Sequence, residues 1–385
     1  MIMKLNNRII DIGEYHFKNL DLLKKTKTLN GEEVFDLSIG DPKMPVHENI
    51  KKALVESLNL EGFNNYPPYE GIEELKYKII EYYHNVFNVN LTKEEVVVLI
   101  GSKEGISNIV PSVCDVGDYV IVPDPGYPVY KIATKLWGCI PYSVPLKENK
   151  GYLIETSEIP QKITEKAKLM FVNYPNNPTG AVANKEGFEE LIEFSYKNNL
   201  VLCNDSAYNE IVDKDEKIIS LLQFDKEKRC IEFGSLSKIY NMTGFRIGYA
   251  VGNSEVIERL SNIKSNLDSG QFIPIQKAAV EALSINREYN KEIVSEYSKR
   301  KEVAKKILKE KNIKFFDGKG TFYIWCRTPK GYTSNEFCLE LLNRYGIIVT
   351  PGEVFGIVGY DYFRISLTEN SEVIEKCLSR LDKYQ

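Results

Sequence analysis

Short, continuous runs of apolar residues alternate with longer amphipathic stretches through the first two thirds of the chain. The apolar runs occupy residues 96–100, 119–123, 168–174, 200–205, 230–236 and 247–252. Runs this short suit strands, and strands without polar alternation are typical of a sheet covered by helices on both faces. The pattern therefore predicts an α/β fold with a mostly parallel sheet between helices.

The pattern changes at both ends of this region. Residues 1–45 look like an arm that ends in a loop broken by glycine and proline, and residues 276–310 look like a long helical stretch. Beyond that stretch, three short runs (KFFDGKGTFYIWCRT, GIIVTPG and YFRISLT) suit a small antiparallel or mixed sheet. We therefore predict a large domain at 46–284 and a smaller α/β domain at 285–385, with the arm packed on the small domain.

Composition narrows the possible partners. Lys and Arg number 50 against 54 Asp and Glu, so the net charge of −4 provides no basic surface for nucleic acid. No apolar run is long enough to span a bilayer, and the N-terminus lacks the pattern of a signal peptide. We expect a cytoplasmic protein without nucleic-acid or membrane partners. The seven cysteines and three histidines are scattered, so we predict neither a disulfide framework nor a metal site.

The most informative motif is GSLSKIYNMTGFRIGY, at residues 234–249. Lys238 follows Ser235 and Ser237, and Arg246 comes eight residues later. Lysine is the side chain whose primary amine can form an imine with an aldehyde cofactor. The two hydroxyls and the guanidinium would hold a phosphate on that cofactor. Taken alone, the motif could also be a surface turn.

Two further motifs follow predicted strands. In GSKEGI, Ser102 and Lys103 would open a helix, where free N–H groups and the helix dipole favour a phosphate. A simple strand-to-helix turn is the alternative. In PDPGYPVY, Tyr127 sits in a rigid proline and glycine frame at a strand's carboxyl end. Its ring could stack on a flat heterocycle or could simply pack.

Three more motifs supply polar groups. Asn177 in NPTG offers an amide donor, and Asp205 in NDSAYNEI ends a predicted strand three residues before Tyr208. A carboxylate such as Asp205 would keep a nearby ring nitrogen protonated, because an opposite charge favours the charged form. Arg364 in YFRISL would need a carboxylate partner if buried, and either a substrate or the protein could supply it.

The ordered series GSK, DPGYP, NPTG, D-x-x-Y, S-x-S-K-x7-R and R-I-S resembles that of the class I/II aminotransferases, which are pyridoxal-phosphate enzymes of fold type I. The resemblance covers about residues 35–370. It implies a large domain with a mostly parallel seven-stranded sheet between helices, plus a smaller α/β C-terminal domain. It also implies pyridoxal 5'-phosphate as cofactor and ping-pong transfer of an amino group between an amino acid and a 2-oxo acid. Lys238 would then be the cofactor-linked lysine and the catalytic base.

The resemblance also implies roles for other residues. Asn177 and Tyr208 would bind the cofactor's 3-oxygen, Tyr127 would stack on the ring, and the backbone of Ser102 and Lys103 would contact the phosphate.

For the substrate, the resemblance implies that Arg364 binds the α-carboxylate, with Gly40 of the arm and Asn177 nearby. Tyr66 in NNYPPYEG matches a tyrosine that reaches the phosphate of the neighbouring subunit, which implies a homodimer with shared active sites.

The donor is less well defined. GSKEGI, DPGYPVYK, NYPNNPTGAV and SNLDSGQFIPIQ are similar to segments of LL-diaminopimelate aminotransferases, which use 2-oxoglutarate as acceptor. PPYEG and EVFGIVGYDYFR match that group only in part. Such a donor carries a distal ammonium and carboxylate, for which Glu70, Asp268 and Lys264 are candidates by location.

Other functions stay open. Aspartate, alanine, aromatic and methionine aminotransferases share the motifs, and a cystathionine β-lyase of the same fold would use the same Lys238, Asp205 and Arg364. A regulatory protein would need a DNA-binding module, for which the N-terminus has no room. A non-catalytic binding module would be expected to lack Lys238 or Asp205.

Overall fold

The computed structural model describes residue 6, residue 8 and residues 24–384. Its strands are β1 (Phe35–Asp36), β2 (Val96–Leu99), β3 (Tyr119–Asp124), β4 (Ile140–Pro145), β5 (Ala167–Val172), β6 (Val201–Asp205), β7 (Ile231–Ser235), β8 (Gly248–Gly252), β9 (Phe315–Phe316), β10 (Tyr323–Arg327), β11 (Ile347–Ile348), β12 (Thr350–Pro351) and β13 (Tyr362–Ser366). From residue 48 onward its α-helices are α1 (Glu48–Ser57), α2 (Glu73–Phe87), α3 (Ser102–Val113), α4 (Val129–Leu136), α5 (Gln161–Thr164), α6 (Lys185–Lys197), α7 (Ser254–Leu267), α8 (Ile273–Ser284), α9 (Glu288–Glu310), α10 (Ser334–Tyr345) and α11 (Ser371–Ser379).

The main sheet has seven strands in the order β2-β8-β7-β6-β5-β3-β4. Strand β8 runs antiparallel to both of its neighbours, and the other pairs are parallel. This confirms the predicted mostly parallel, seven-stranded sheet of an α/β fold. The carboxyl ends of β3, β5, β6 and β7 therefore lie along one edge, which is where open α/β sheets bind ligands.

The core lies on both faces of this sheet. Along β2, Val96 and Val98 belong to one buried cluster, whereas Val97 and Leu99 belong to the other. Helix α2 packs on the first face, and α3 packs on the second through residues such as Ile106. Apolar residues on both faces explain why the strands read as continuous hydrophobic runs.

Strand β4 was not among the runs found from the sequence. It lies at the sheet edge beside β3, and most of its residues are exposed or half-buried. It also contains Pro141 and Pro145, which edge strands tolerate because they need fewer ladder hydrogen bonds. A strand without a buried second face has no reason to be continuously apolar.

The C-terminal part builds a four-stranded antiparallel sheet in the order β12-β13-β10-β9. Strand β1 pairs in parallel with β11, so arm residues 35–36 contact this part of the chain. The predicted helical stretch at 276–310 is two helices, α8 and α9, separated by residues 285–287. Most of the predicted arm before residue 24 lies outside the described residues, and the domain boundary at 285 stays a prediction.

Within the described ranges, no helix combines the length and apolar character needed to cross a bilayer.

Candidate active site

A cavity of about 380 Å³ opens where β6 and β7 end. Twelve of the residues proposed from the sequence lie on its wall: Gly40, Ser102, Lys103, Tyr127, Asn177, Asp205, Tyr208, Ser235, Ser237, Lys238, Arg246 and Arg364. Tyr66 does not, and its side chain is 84% exposed on the surface. The wall also includes residues that the sequence did not point to, namely Ile39, Ala207, Thr243 and Tyr323.

Lys238 lies three residues beyond the end of β7 and is half-buried at the cavity wall. Its Nζ donates to the carbonyl oxygen of Gly40 at 2.7 Å. Loss of solvent lowers the pKa of this amine to about 8, against the opposing charge of Asp41 and with help from Arg364 and Arg246. More of the amine is therefore uncharged near neutral pH than on an exposed lysine, and the uncharged form is the nucleophile and base.

Asp205 is the last residue of β6 and is buried. Burial raises the pKa of its carboxyl group to about 6, although the Tyr130 hydroxyl and the Ala207 N–H both donate to it. The Tyr130 donor lies 2.7 Å from Oδ2. A buried carboxylate with neutral donors but a raised pKa would be stabilised by a cation, such as a protonated ring nitrogen.

The phosphate end of the cavity is the N-terminus of α3. Its N-cap is Gly101, at φ 75°, and no side chain of the described residues caps the helix there. Ser102, Ser235, Ser237 and Arg246 surround the same point. A Cβ on Gly101 would lie 2.4 Å from Nη2 of Arg246, so a larger residue there would push the guanidinium aside. Helix N–H groups, two hydroxyls and a guanidinium are the donor set that a phosphate requires, so these residues fit the phosphate of the expected cofactor.

Arg364 is buried in β13, yet among the residues that the structure describes no carboxylate pairs with it. Its Nη1 donates to Oδ1 of Asn177 at 2.8 Å, and its Nη2 donates to the carbonyl of Ser38 and to Oγ1 of Thr350. Its Nε has no partner in the described part of the chain. The alternative of an ion pair within the protein is therefore not found, and a buried guanidinium lacking an anion suits a substrate carboxylate.

Asn177 and Tyr208 connect this arginine to the rest of the cavity. Because Oδ1 of Asn177 accepts from Arg364, its Nδ2 remains as a donor. The backbone N–H of Asn177 donates to Oδ1 of Asn173 at 2.8 Å, which fixes the loop. The Tyr208 hydroxyl lies 2.9 Å from that of Tyr323. Both predicted donors to a 3-oxygen are thus buried and held in place.

The charged residues proposed for a substrate side chain lie away from this cavity. Lys264 is buried, donates to both carboxylate oxygens of Asp268 at 2.9 Å and lies 3.4 Å from Glu104. Glu70 pairs with Lys76 at 3.0 Å beside a separate, larger cavity. Lys264 and Asp268 neutralise each other within the protein and are not available to a substrate in this chain's own cavity.

Neither Tyr130 nor Tyr323 was predicted from the sequence as a residue of the site. Tyr130 lies in the PDPGYPVY motif, three residues after Tyr127, but nothing in the motif distinguishes a tyrosine that bonds a carboxylate from one that packs. Tyr323 starts β10 in a stretch without any motif, and only the three-dimensional pairing of β10 with β13 brings it to Arg364.

Known proteins that resemble this chain belong to the enzyme class that the cavity residues indicate. The model of the family "Aminotransferase class I and II" matches residues 32–381. An LL-diaminopimelate aminotransferase from Natranaerobius thermophilus is 41% identical over 99% of this chain and 100% of its own. One from Halothermothrix orenii is 42% identical over 98% of each chain. The substrate-bound structure of BacF from Bacillus subtilis is 32% identical, with a TM-score of 0.95 over 98% of this chain and 97% of that one.

The match over nearly the whole chain and the likeness of fold identify the same enzyme class that the ordered motifs indicated. The chain belongs to the class I and II aminotransferases, is a transaminase of fold type I and uses pyridoxal phosphate as its cofactor.

Proposed function

We propose that this aminotransferase takes the amino group of LL-diaminopimelate and passes it to 2-oxoglutarate. The relatives at 41% and 42% identity, which align over nearly their full length, are named for that donor. The observation that carries the general reaction is the buried Arg364, which pairs with no carboxylate in the part of the chain that the structure describes. Both the donor and the acceptor have a carboxylate next to the reacting carbon, so one arginine serves both halves of a ping-pong reaction.

The residues on the cavity wall fit pyridoxal phosphate. Lys238 would bind its aldehyde, and the α3 N-terminus with Ser235, Ser237 and Arg246 would bind its phosphate. Tyr127 would contact the ring, Asp205 would pair with the ring nitrogen, and Asn177 and Tyr208 would donate to the 3-oxygen. When bound, the cofactor supplies an electron sink for the electron pair left on the substrate's α-carbon.

The remaining chemistry belongs to the chain's own side chains. Arg364 binds the substrate carboxylate and so orients the α-carbon toward Lys238. The Nζ of Lys238 would take the α-proton from the substrate and would be the group that returns it during the transfer. The lowered pKa of about 8 suits this role, because a base that works near neutral pH must be partly unprotonated there.

A panel of amino donors with 2-oxoglutarate tests the proposed donor. LL-diaminopimelate should give the highest kcat/KM when compared with aspartate, alanine, methionine and the aromatic amino acids. If another amino acid is clearly better, the donor assignment fails while the enzyme class stands. Release of pyruvate and ammonia from cystathionine without an oxo acid would instead identify lyase activity.

We also propose a homodimer in which Tyr66 reaches the phosphate site of the partner subunit. Tyr66 is 84% exposed, and the neighbouring Tyr69 and Phe272 are exposed as well. Phe272 contacts Phe63 edge to face with ring centroids 6.3 Å apart, and a Cβ on Gly270 would lie 2.9 Å from Pro67, so the segments that carry these residues lie close together. Exposed apolar faces of this kind mark protein contacts. Sedimentation at twice 44.1 kDa is expected, and a stable monomer with full activity would overturn the proposal.

The phosphate site gives a separate prediction. Gly101→Ala should weaken binding of pyridoxal phosphate by about tenfold or more, because its Cβ would displace Arg246 and remove a charge-assisted hydrogen bond. The affinity is measured by titrating cofactor-free enzyme with pyridoxal phosphate and following absorbance.

Gly151→Ala is the matched control for that substitution. Gly151 also has a positive φ, 64°, but a Cβ there would meet no atom of the described residues within 4 Å. It therefore carries the backbone strain without the clash. Equal loss of affinity in both variants would show that a strained residue weakens binding through a general effect on the fold, and it would overturn the role of Arg246.

A further inference from the structure

Tyr323 touches two functional groups of the cavity at once. Its side chain is buried, and its hydroxyl lies 2.9 Å from the Tyr208 hydroxyl. The centre of its ring lies 4.1 Å from Cζ of Arg364. A Cβ on Gly40 would lie 1.8 Å from the Tyr323 hydroxyl. The backbone of Gly40 therefore packs directly against this side chain, and a larger residue at position 40 would clash with it. The ring and the hydroxyl are therefore held from several directions.

The two hydroxyls can share their hydrogen bond in either direction. Within the described residues neither hydroxyl has another hydrogen-bond partner. If Tyr208 donated to Tyr323, the Tyr323 proton would be left without an acceptor. If Tyr323 donates to Tyr208, the Tyr208 proton is free to point into the cavity. An acceptor in the cavity, such as the 3-oxygen of pyridoxal phosphate, selects the second arrangement.

A hydroxyl that accepts a hydrogen bond becomes a stronger donor in turn, because the bonds in a chain polarise one another. Donation from Tyr323 would therefore strengthen a bond from Tyr208 to the 3-oxygen of the bound cofactor. That bond would stabilise negative charge on the oxygen and so would lower the pKa of the group that links Lys238 to the cofactor.

The ring of Tyr323 acts on Arg364. The guanidinium contacts both the Tyr323 ring and the Phe355 ring, whose centre is 4.8 Å from Cζ. Aromatic faces on a guanidinium attract its charge and restrict its rotation. With its two terminal nitrogens bonded to Asn177, Ser38 and Thr350, the guanidinium plane is fixed before any carboxylate arrives.

We propose that Tyr323 is a positioning residue with two separable roles in this transaminase. Its hydroxyl tunes the acidity of the lysine–cofactor linkage through Tyr208, and its ring orients Arg364 for the substrate carboxylate. The inference rests on the enzyme class and is independent of which amino acid is the donor.

Tyr323→Phe and Tyr323→Leu separate the two roles. The phenylalanine variant keeps the ring, so the KM values for donor and acceptor should stay at the wild-type level. The apparent pKa in the absorbance of the cofactor-bound enzyme should rise by about half a unit, because one supporting hydrogen bond is lost. The leucine variant should show the same pKa rise, and in addition the KM values for both donor and acceptor should increase by about tenfold.

Tyr362→Phe is the matched control. It removes a hydroxyl from the neighbouring strand β13, where Tyr362 bonds Glu148 and Arg327 outside the cavity. Its apparent pKa should equal that of the wild type, and circular dichroism checks that every variant is folded. An unchanged pKa in Tyr323→Phe overturns the role of the hydroxyl, and equal KM values in the phenylalanine and leucine variants overturn the role of the ring.

Discussion

Lys238→Ala is expected to slow transamination by about 10⁴-fold or more, because one side chain supplies both the covalent anchor and the proton carrier. The remaining cavity lysine in the described chain, Lys103, lies at the α3 N-terminus beside Arg246 and is not at the position of Lys238. Cofactor binding should persist, since the residues proposed to bind the phosphate are unchanged. Stopped-flow absorbance with a single turnover of amino acid measures the loss.

A small primary amine provides the control for that variant. Added ethylamine should restore part of the rate of Lys238→Ala, because it can carry the proton without being attached to the chain. A variant that keeps its rate within tenfold of the wild type would contradict the assignment of Lys238 as the base.

Arg364→Leu should cause the second large loss of activity. We expect kcat/KM to fall by about 10³-fold for the donor and for the acceptor. Removing one partner of a buried charged pair costs about 3–5 kcal/mol. Steady-state kinetics of both half-reactions measure the change. Arg364→Lys should lose less, because it keeps the charge while giving up the two-pronged hydrogen bonding.

A primary amine without a carboxylate distinguishes binding of the substrate from general damage. Wild type and Arg364→Leu should convert such an amine at the same slow rate, because Arg364 has no carboxylate to bind. If the rate of the variant falls as much with the amine as with amino acids, Arg364 supports the fold of the cavity and does not recognise the substrate.

The parts of the fold that could be predicted are those whose burial leaves a clear pattern in their own stretch of sequence. Strands such as β5 and β6 are buried on both faces, so they appear in the sequence as unbroken apolar runs. The edge strand β4 lacks that burial and was not found. The break between α8 and α9 has no proline or glycine to mark it, and a periodic pattern alone runs through it.

The site was predictable where a motif joins chemistry to a strand end. Asp205 ends β6 and Lys238 follows β7 closely, so the sheet itself carries them to the cavity. Tyr323 was not predictable, because its role depends on distant residues, Tyr208 and Arg364, being brought together. That no carboxylate among the described residues pairs with Arg364 is likewise a property of the folded chain, which no local pattern encodes.

The antiparallel pairing of β7 and β8 has a consequence for how this enzyme can vary. Ser235 lies opposite Gly248 in the ladder, so residues 236–247 form one closed loop that holds both Lys238 and Arg246. Both ends of the loop are clamped in the same sheet. Inserting or deleting a single residue between the lysine and the arginine would shift one against the other, although loops elsewhere on the surface tolerate such changes. The seven residues between Lys238 and Arg246 therefore set the distance between the lysine that would bind the cofactor covalently and the arginine that would bind its phosphate.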